Sequence, residues 1–453
     1  MPKKKILLLS DDLRMTSGIA TMSKEFVLGT VKDYDWVQLA SGINHPEAGK
    51  IVDLNADVRK RTGVEDANVK LYPYNSYGDM GILRKLLKDE KPDAILFFTD
   101  PHYWMWLFDN EHEIRQSVPM LYYHIWDNTP DPRYNRNFYE SVDWLGCISK
   151  LTYGIVHRVG KLEDSNTWKP LEDWQISYVP HGINPNVFKP VDTISEEVKK
   201  YVHGDKEYDF VLFYNNRNIR RKQPSDVMYS YSLFCDKLGK EKADKCLLLM
   251  HTAPIDQNGT DLYAVKESIC PNYNVKFVET KIEQEVLNEF YNIADCTINI
   301  ANNEGFGLTT AESIMAGTPI IATVTGGLQD QFGFNFEADD YIDIKTLSDK
   351  ETYGSIEHGV WGYPVWPSAT NINGSPLTPY IFDDRVNDNE VAEAIYSVYS
   401  IGRETRKKNG LVGREWAIKN LSSEIMCNTL KDGIEGTLKN FKPREKYNIY
   451  KVI

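Results

Sequence analysis

The chain has no apolar run that approaches the roughly 18 residues of a membrane-spanning helix. An apolar run at residues 6–9 follows three lysines, but it is too short for a signal peptide and leads into two aspartates. We therefore expect a cytoplasmic protein in which this run forms a first buried strand. The sequence also has no internal repeat and no low-complexity segment.

Cysteine is scarce: there are six, at positions 147, 235, 246, 270, 296 and 427, with no CxxC pair and no metal-binding spacing. Most lie in or beside apolar runs, so we expect buried, reduced thiols. The GxSxG and HExxH motifs of hydrolases are both missing. A DxD triplet at residues 33–35 precedes a predicted strand, which does not favour a metal site. We expect neither a metal nor a cofactor.

Positive charge is also in short supply. The sequence has 52 Lys+Arg against 65 Asp+Glu, a net charge of −13, which argues against nucleic acid as a bulk electrostatic partner. The composition, 42% apolar and 26% charged, is ordinary for a globular protein. A length of 453 residues is long for one hydrophobic core and predicts two domains or more.

Short apolar runs that suit buried strands alternate with helical patterns along most of the chain. In the first half these runs start at residues 6, 36, 94, 120, 144 and 176, and in the second half at residues 210, 246, 275, 296 and 320. This alternation predicts an α/β protein with two parallel, doubly wound sheets.

Two irregular stretches interrupt the alternation. We predict a first domain at 1–187, a linker at 188–208, a second domain at 209–420 and a C-terminal segment with a basic tail at 421–453. An insertion at 332–385 is rich in glycine, proline and aromatic residues. It is either a functional lid or binding loop, or a surface elaboration.

Residues 298–327 carry the clearest chemical signal. They read as strand, glycine-rich loop, helix and strand, INIANNEGFGLTTAESIMAGTPIIATVTGG. A glycine-rich loop at a helix start lets backbone N–H groups approach an anion, which the helix dipole also favours. Glu304 precedes this helix and Glu312 lies within it. Phosphate binding beside two carboxylates predicts a ligand with phosphate and hydroxyl groups, such as a nucleotide sugar.

This loop resembles a dinucleotide fingerprint only in part. Thr310 occupies the third glycine position of GxGxxG, and no acidic residue follows the next strand. We therefore do not favour a dehydrogenase.

Other candidate residues follow predicted strands. Arg217 and Lys222 form part of a basic stretch after the strand at 210, where cations can neutralise a diphosphate. Gly18 follows the first strand, and His124 ends another. Taken singly, each also has a plain structural interpretation: a solvated basic turn, a tight turn and a core histidine.

Together these motifs resemble the retaining nucleotide-sugar glycosyltransferases of the GT-B type, the family called glycosyl transferases group 1. The similarity is strongest at residues 302–327, where two glutamates are separated by seven residues. Arg217 and Lys222, five positions apart, match the family's diphosphate-binding pair. The segment 413–416 resembles the start of a helix that crosses back to the first domain.

The resemblance implies a role for each candidate. Glu304, His124, Arg217 and Lys222 would be catalytic, with Glu304 and His124 near the transferred sugar. The donor would contact Gly18, the backbone of Gly307, Leu308 and Thr309, and Glu312, which would bind the ribose hydroxyls. The implied fold is GT-B, with two Rossmann-like domains facing a cleft.

The implied activity is transfer of a sugar from a nucleotide diphosphate sugar to an acceptor hydroxyl, with retention and without a metal. The acceptor stays open: glycan, lipid-linked glycan at a membrane surface, protein, small molecule or, least favoured by the acidic charge, modified nucleic acid. Alternatives are a sugar-nucleotide epimerase, a phosphorylase, or a catalytically silent carbohydrate- or partner-binding protein. Two departures from the family pattern, Asn216 and Gln223 where glycines are usual, leave the donor base and sugar open.

Overall fold

The structure is a computed structural model that describes residues 2–42, 44–162, 170–334 and 356–446. Within these residues the chain divides into two compact units. The first contains the residues up to Trp126, Asp131–Gly182 and those from Ser423 onward, and the second contains Asp127–Pro130 and Ile183–Ser422.

The first unit is built on an eight-stranded sheet with the strand order β3-β4-β2-β1-β5-β6-β7-β8. Its strands are β1 (Lys4–Asp11), β2 (Tyr34–Gly42), β3 (Val52–Asp53), β4 (Val69–Asn75), β5 (Ala94–Phe98), β6 (Met120–His124), β7 (Trp144–Cys147) and β8 (Ile176–Tyr178). All neighbouring strands are parallel except the edge pair β3–β4. The central strand β1 is apolar and buried along most of its length, as expected for a parallel sheet covered on both faces.

Helices connect these strands. They are α1 (Gly18–Thr30), α2 (Asn55–Thr62), α3 (Met80–Glu90), α4 (Met105–Phe108), α5 (Glu111–Ile114), α6 (Arg136–Glu140) and α7 (Lys150–Gly160). Side-chain caps fix the start of the longer ones: Ser17 accepts from Ala20 N at 3.1 Å, and Asp79 accepts from Gly81 N at 2.6 Å.

The second unit has a six-stranded parallel sheet with the order β11-β10-β9-β12-β13-β14. Its strands are β9 (Phe210–Asn215), β10 (Cys246–His251), β11 (Val275–Val278), β12 (Cys296–Asn299), β13 (Ile320–Thr323) and β14 (Gly362–Val365). Its helices are α8 (Glu196–His203), α9 (Pro224–Leu238), α10 (Lys240–Ala243), α11 (Leu262–Ile269), α12 (Gln284–Ile293), α13 (Leu308–Ala316), α14 (Asp388–Ser400) and α15 (Arg403–Leu421).

An antiparallel hairpin, β15 (Ala369–Asn373) and β16 (Ile381–Arg385), stands apart from this sheet. The predicted insertion at 332–385 is thus partly regular: it supplies the sheet strand β14 and this hairpin. Its residues 335–355 lie outside the described residues.

The chain's last described helix, α16 (Ser423–Asn440), belongs to the first unit. Lys431 on this helix pairs with Asp33 at 2.6 Å, and Tyr34 donates to Glu435 at 2.7 Å. The segment 413–416, predicted to start a returning helix, lies inside α15, so that prediction was wrong about the boundary. Two basic residues of the predicted tail, Lys431 and Lys439, lie on a regular helix.

The stretch predicted as a linker, 188–208, contains the regular helix α8. Ser195 caps this helix, and the charged run at its start supplies two acidic residues in the first turn, which stabilise a helix N-terminus. All six cysteines are buried and free.

Candidate active site

The strand order of the second unit reverses between β9 and β12. Chain connections run from β9 outward through β10 and β11, then return to β12 on the other side of β9. In open parallel sheets the loops that leave the carboxyl ends of such a strand pair diverge and form a binding crevice. Here these loops are residues 216–222 after β9 and 300–307 after β12, so the fold brings Lys222 and Glu304 together.

Four charged side chains of the second unit form a cluster at this point. The Lys222 ammonium contacts the Glu304 carboxylate, and both side chains are almost fully buried. Arg221 Nη1 lies 3.5 Å from Glu304 Oε2 and 3.9 Å from Asp127 Oδ2. Arg221 also donates to the carbonyl of Asn303 at 2.8 Å.

Burial governs the protonation of the lysine in this cluster. Removal from water, followed by the neighbouring Arg221 guanidinium, lowers the pKa of Lys222 well below its usual range, and the Asp127 carboxylate opposes this shift. The contact with Glu304 also favours the charged ammonium, as any close carboxylate does. A second anion arriving here would stabilise the charged lysine further.

Arg217, predicted as the partner of Lys222, lies elsewhere in the loop. Its side chain is 64% exposed and donates to Asp256 Oδ2 at 2.9 Å, which lowers the pKa of Asp256. Among the described residues, the arginine that contacts Glu304 is Arg221. The spacing of the basic stretch could not identify it, although Arg221 belongs to that stretch.

The buried side chain of Asn218 fixes the conformation of the loop at residues 216–222. Its amide donates to the carbonyls of Ala253, Pro254 and Thr260 at 2.6–3.2 Å, and its Oδ1 accepts from Thr260 N at 3.1 Å. These bonds attach the loop to the segment after β10. They direct Arg217 outward and leave Arg221 and Lys222 beside Glu304.

The loop before α13 requires its glycines. Gly307 has φ +89°, and a Cβ there would lie 2.5 Å from Leu328 Cδ2. Gly326, with φ +48°, would place a Cβ 2.2 Å from the Glu304 carbonyl oxygen. Gly327 N donates to that carbonyl at 2.8 Å. The loop after β13 therefore fits closely against the loop that carries Glu304.

The first turn of α13 is suited to an anion. Leu308 and Thr309 are half-buried at the start of this helix, whose dipole favours negative charge. The Thr309 hydroxyl is buried without a hydrogen-bond partner among the described residues. The structure thus places the predicted residues Gly307, Leu308 and Thr309 in the loop and helix start that follow Glu304.

Glu312, one helical turn further, ends a buried polar chain. Tyr291 Oη donates to Glu312 Oε2 at 2.8 Å, Asn215 Nδ2 donates to Tyr291 Oη at 2.9 Å, and His251 Nδ1 lies 2.8 Å from Asn215 Oδ1. Burial raises the pKa of Glu312 to about 7, and the bond from Tyr291 offsets this only in part. The sequence gave no signal for Tyr291 or Asn215 as partners of Glu312.

The two remaining predicted residues belong to the first unit. His124 is fully buried at the end of β6, with its Nε2 3.2 Å from Tyr139 Oη. Burial lowers the pKa of His124 to about 3, so the ring is neutral. Gly18 is exposed and is the first residue of α1.

The described ranges contain no group of three or more His, Cys, Asp or Glu side chains arranged to hold a metal ion. None of their helices combines the length and the apolar character that crossing a membrane requires.

Residues 196–341 match the family model described as Glycosyl transferases group 1. This segment contains the residues of the charged cluster other than Asp127, and it contains Glu312.

Two curated relatives, both described as D-inositol 3-phosphate glycosyltransferase, match shorter segments. The protein from Thermomonospora curvata is 45% identical over 51 residues, or 11% of this chain and 12% of that protein. The protein from Thermobispora bispora is 26% identical over 158 residues, or 34% of this chain and 36% of that protein. The matches thus span little more than a third of the relatives' length at most.

A solved structure covers nearly the whole chain. The structure of Anabaena Alr3699/HepE in complex with UDP and glucose aligns with a TM-score of 0.64 and 13% identity, over 95% of this chain and 99% of that one. At this identity the similarity concerns the fold. The predicted fold class, α/β with parallel sheets of the GT-B type, is confirmed.

Proposed function

We propose that this chain, a member of the glycosyl transferases group 1 family through residues 196–341, transfers a sugar from a nucleoside diphosphate sugar to an acceptor hydroxyl. The observation that carries the proposal is the buried contact of Lys222 with Glu304 at the strand-order reversal, beside the start of α13. This arrangement offers a cation, a helix N-terminus and a carboxylate within one crevice.

The leaving group is the chemical problem that these residues address. When the bond between the sugar and the diphosphate breaks, negative charge grows on the leaving phosphate oxygen. Lys222 and Arg221 supply positive charge at that point, and the first turn of α13 adds backbone N–H donors. Because the crevice is largely buried, water competes less with these interactions.

The nucleoside end of the donor would meet Glu312. A carboxylate can accept hydrogen bonds from two vicinal ribose hydroxyls, and Tyr291 holds this carboxylate in place. The base and sugar of the donor stay open. UDP is the first candidate to test, because the structurally similar HepE is described in complex with UDP and glucose.

We further propose that the reaction retains the anomeric configuration and needs no metal. The acceptor oxygen would bond to the anomeric carbon on the face that the diphosphate leaves, and the acceptor proton would pass to a leaving phosphate oxygen. Glu304 would contact the sugar hydroxyls. The roles of Arg217, His124 and Gly18, like the cytoplasmic location and the acceptor, stay predictions.

A binding screen tests the proposal. Purified protein is heated with UDP-, GDP-, ADP- and TDP-sugars, and the melting temperature is followed, since a ligand that binds only the native state raises it. We expect one nucleotide series to raise the melting temperature and to be hydrolysed slowly to the nucleoside diphosphate. No shift and no release with any sugar nucleotide would contradict the enzyme proposal and favour a silent binding protein.

The same assay separates the other activities. A phosphorylase would release sugar phosphate only when inorganic phosphate is added, and an epimerase would convert the donor without releasing nucleoside diphosphate. Either product pattern would replace the transferase proposal.

A further inference from the structure

The strand β16 touches every segment that carries the charged cluster. Two of its residues contact the loop just before Glu304: Asp384 N donates to the Asn302 carbonyl at 3.0 Å, and Asp383 Oδ1 accepts from Asn303 Nδ2 at 2.6 Å. This strand lies in the insertion at 332–385, for which the sequence left two interpretations open, a functional lid or binding loop and a surface elaboration.

The same strand also reaches the other two segments. Arg385 donates to Gln223, the residue after Lys222, at 2.9 Å. Phe382 N donates to the Thr129 carbonyl at 2.7 Å, and Asn128 donates back to the Phe382 carbonyl at 3.1 Å. Asn128 and Thr129 directly follow Asp127, which lies near Arg221. Four consecutive residues of β16 therefore hold the segments of Lys222, Glu304 and Asp127.

A side-chain hydrogen bond extends this support to the loop after β13. Asp384 Oδ2 accepts from Thr325 Oγ1 at 2.8 Å, while its Oδ1 accepts from Thr370 of the hairpin at 2.9 Å. Thr325 precedes Gly326, whose Cα lies against the Glu304 backbone. Asp384 thus connects the hairpin to the loop that carries Glu304 and to the loop after β13.

The charges of these aspartates require an explanation. A carboxylate near a diphosphate site weakens anion binding by repulsion. Both aspartates instead accept hydrogen bonds from neutral side chains of the site loops, which is how short acidic side chains fix loop conformation. Their contribution is therefore geometric.

We propose that the hairpin β15–β16 positions the loop at residues 300–307, which carries Glu304. Asp383 and Asp384 are then positioning residues that act through Glu304. The effect on catalysis rests on the function proposed above, whereas the effect on the loop does not. Neither aspartate needs to touch the substrate.

The kinetic test compares Asp383→Ala/Asp384→Ala with Ile372→Thr, a change at a 71% exposed position of the same hairpin. We expect the double variant to lower kcat by about tenfold or more with a smaller change in donor KM, since small misplacements of reacting groups are costly. In a Glu304→Gln background the same two changes should have no further effect on kcat, because they act through Glu304.

Hydrogen exchange tests the loop without any activity. Peptides covering residues 300–307 should exchange roughly tenfold faster in the double variant than in the wild type, and at the wild-type rate in Ile372→Thr. Asp383→Asn/Asp384→Asn keeps one acceptor oxygen on each side chain and loses the other, so exchange at 300–307 should lie between the rates of the wild type and the alanine variant. If the alanine variant fails to fold, hydrogen exchange is measured on this asparagine variant instead.

The outcomes separate the two proposals. If the wild type acts on no sugar nucleotide but the loop exchanges faster in the double variant, the proposed function fails and the positioning role stands. Unchanged exchange at 300–307 in the folded double variant would overturn the positioning role. An equal fall of kcat in the wild-type and Glu304→Gln backgrounds would overturn it as well.

Discussion

At the residue scale, Glu312 shows how burial sets chemistry. Its carboxyl has a pKa of about 7 because the side chain is removed from water, while Tyr291 supplies one hydrogen bond to the charged form. Glu312 therefore changes charge near neutral pH, where an ordinary glutamate, with a pKa of 4.5, is fully ionised. Both the stability of the protein and its proposed donor binding should respond to this titration.

Glu312→Gln should make the protein more stable at neutral pH. In the unfolded chain Glu312 loses its proton near 4.5, whereas in the folded chain it keeps the proton until about 7. The folded state thus binds more protons between these values, so its stability falls as the pH rises through this window. Glu312→Gln lacks this loss of stability, so its advantage over the wild type should approach about 3 kcal/mol at pH 7 and above.

Urea unfolding of both proteins across this pH range measures the difference. Glu393→Gln, at a side chain that is 60% exposed, serves as the control. A constant difference between Glu312→Gln and the wild type across the range would show that the pKa of Glu312 is not raised.

Tyr291→Phe should shift the pH dependence of donor binding to higher pH. The phenol donates to the Glu312 carboxylate, so its loss raises the pKa of Glu312 above about 7. If the carboxylate binds the ribose, donor affinity at neutral pH should fall by about tenfold, the value of one hydrogen bond to a charged group.

Calorimetric titration of the nucleotide at several pH values checks this expectation. Tyr229→Phe, at a 44% exposed tyrosine of α9, is the matched control. Equal affinity of Tyr291→Phe and the wild type at every pH would remove Glu312 from the proposed donor site.

At the scale of elements, the site depends on loops that fit against one another. The loop after β13 places Gly326 directly against the Glu304 backbone, which only a glycine with positive φ permits. The loop after β9 is attached by Asn218, and the hairpin supports the loop after β12. Rigid strands fix where these loops start, and the contacts between loops fix where their side chains point.

Gly326→Ala should disturb this fit. The new Cβ would lie 2.2 Å from the Glu304 carbonyl oxygen, so the backbone must move, and the positive φ adds strain. We expect a loss of about 2 kcal/mol or more of stability together with a strong loss of activity.

Gly402→Ala separates the strain of a positive φ from the steric clash with Glu304. Gly402 also has a positive φ, +78°, but a Cβ there would meet no atom within 4 Å. It should cost only the strain, about 1–3 kcal/mol, and leave activity unchanged. Equal effects of the two substitutions on stability and activity would argue against the contact of Gly326 with Glu304.

At the scale of the whole molecule, the sequence predicted most of the two sheets. Strands with continuous apolar runs, such as β1, β5 and β9, were identified because both faces of a parallel sheet are buried. The strands β3, β4 and β14, which lie at or next to a sheet edge, were missed. β4 alternates buried and half-buried residues and contains Pro73, and β14 contains a glycine and a proline.

The candidate site was predictable in its types of residue but less so in its geometry. Lys222, Glu304 and Glu312 were named from sequence, whereas Arg221, Tyr291 and Asp383 were not. Their positions depend on contacts between residues far apart in the chain, such as Asn218 with Thr260 and Asn303 with Asp383. Neither periodicity nor motif spacing contains that information.

In the proposed reaction, Lys222 stabilises the leaving diphosphate. The most direct test of this role is the rate of nucleoside diphosphate release from the bound sugar nucleotide by Lys222→Ala, with Lys245→Ala as the control at a 61% exposed side chain. We expect Lys222→Ala to lower kcat by about 10²–10³-fold, as the loss of one transition-state donor does, and Lys245→Ala to match the wild type. A folded Lys222→Ala enzyme with wild-type kcat would contradict this role of Lys222.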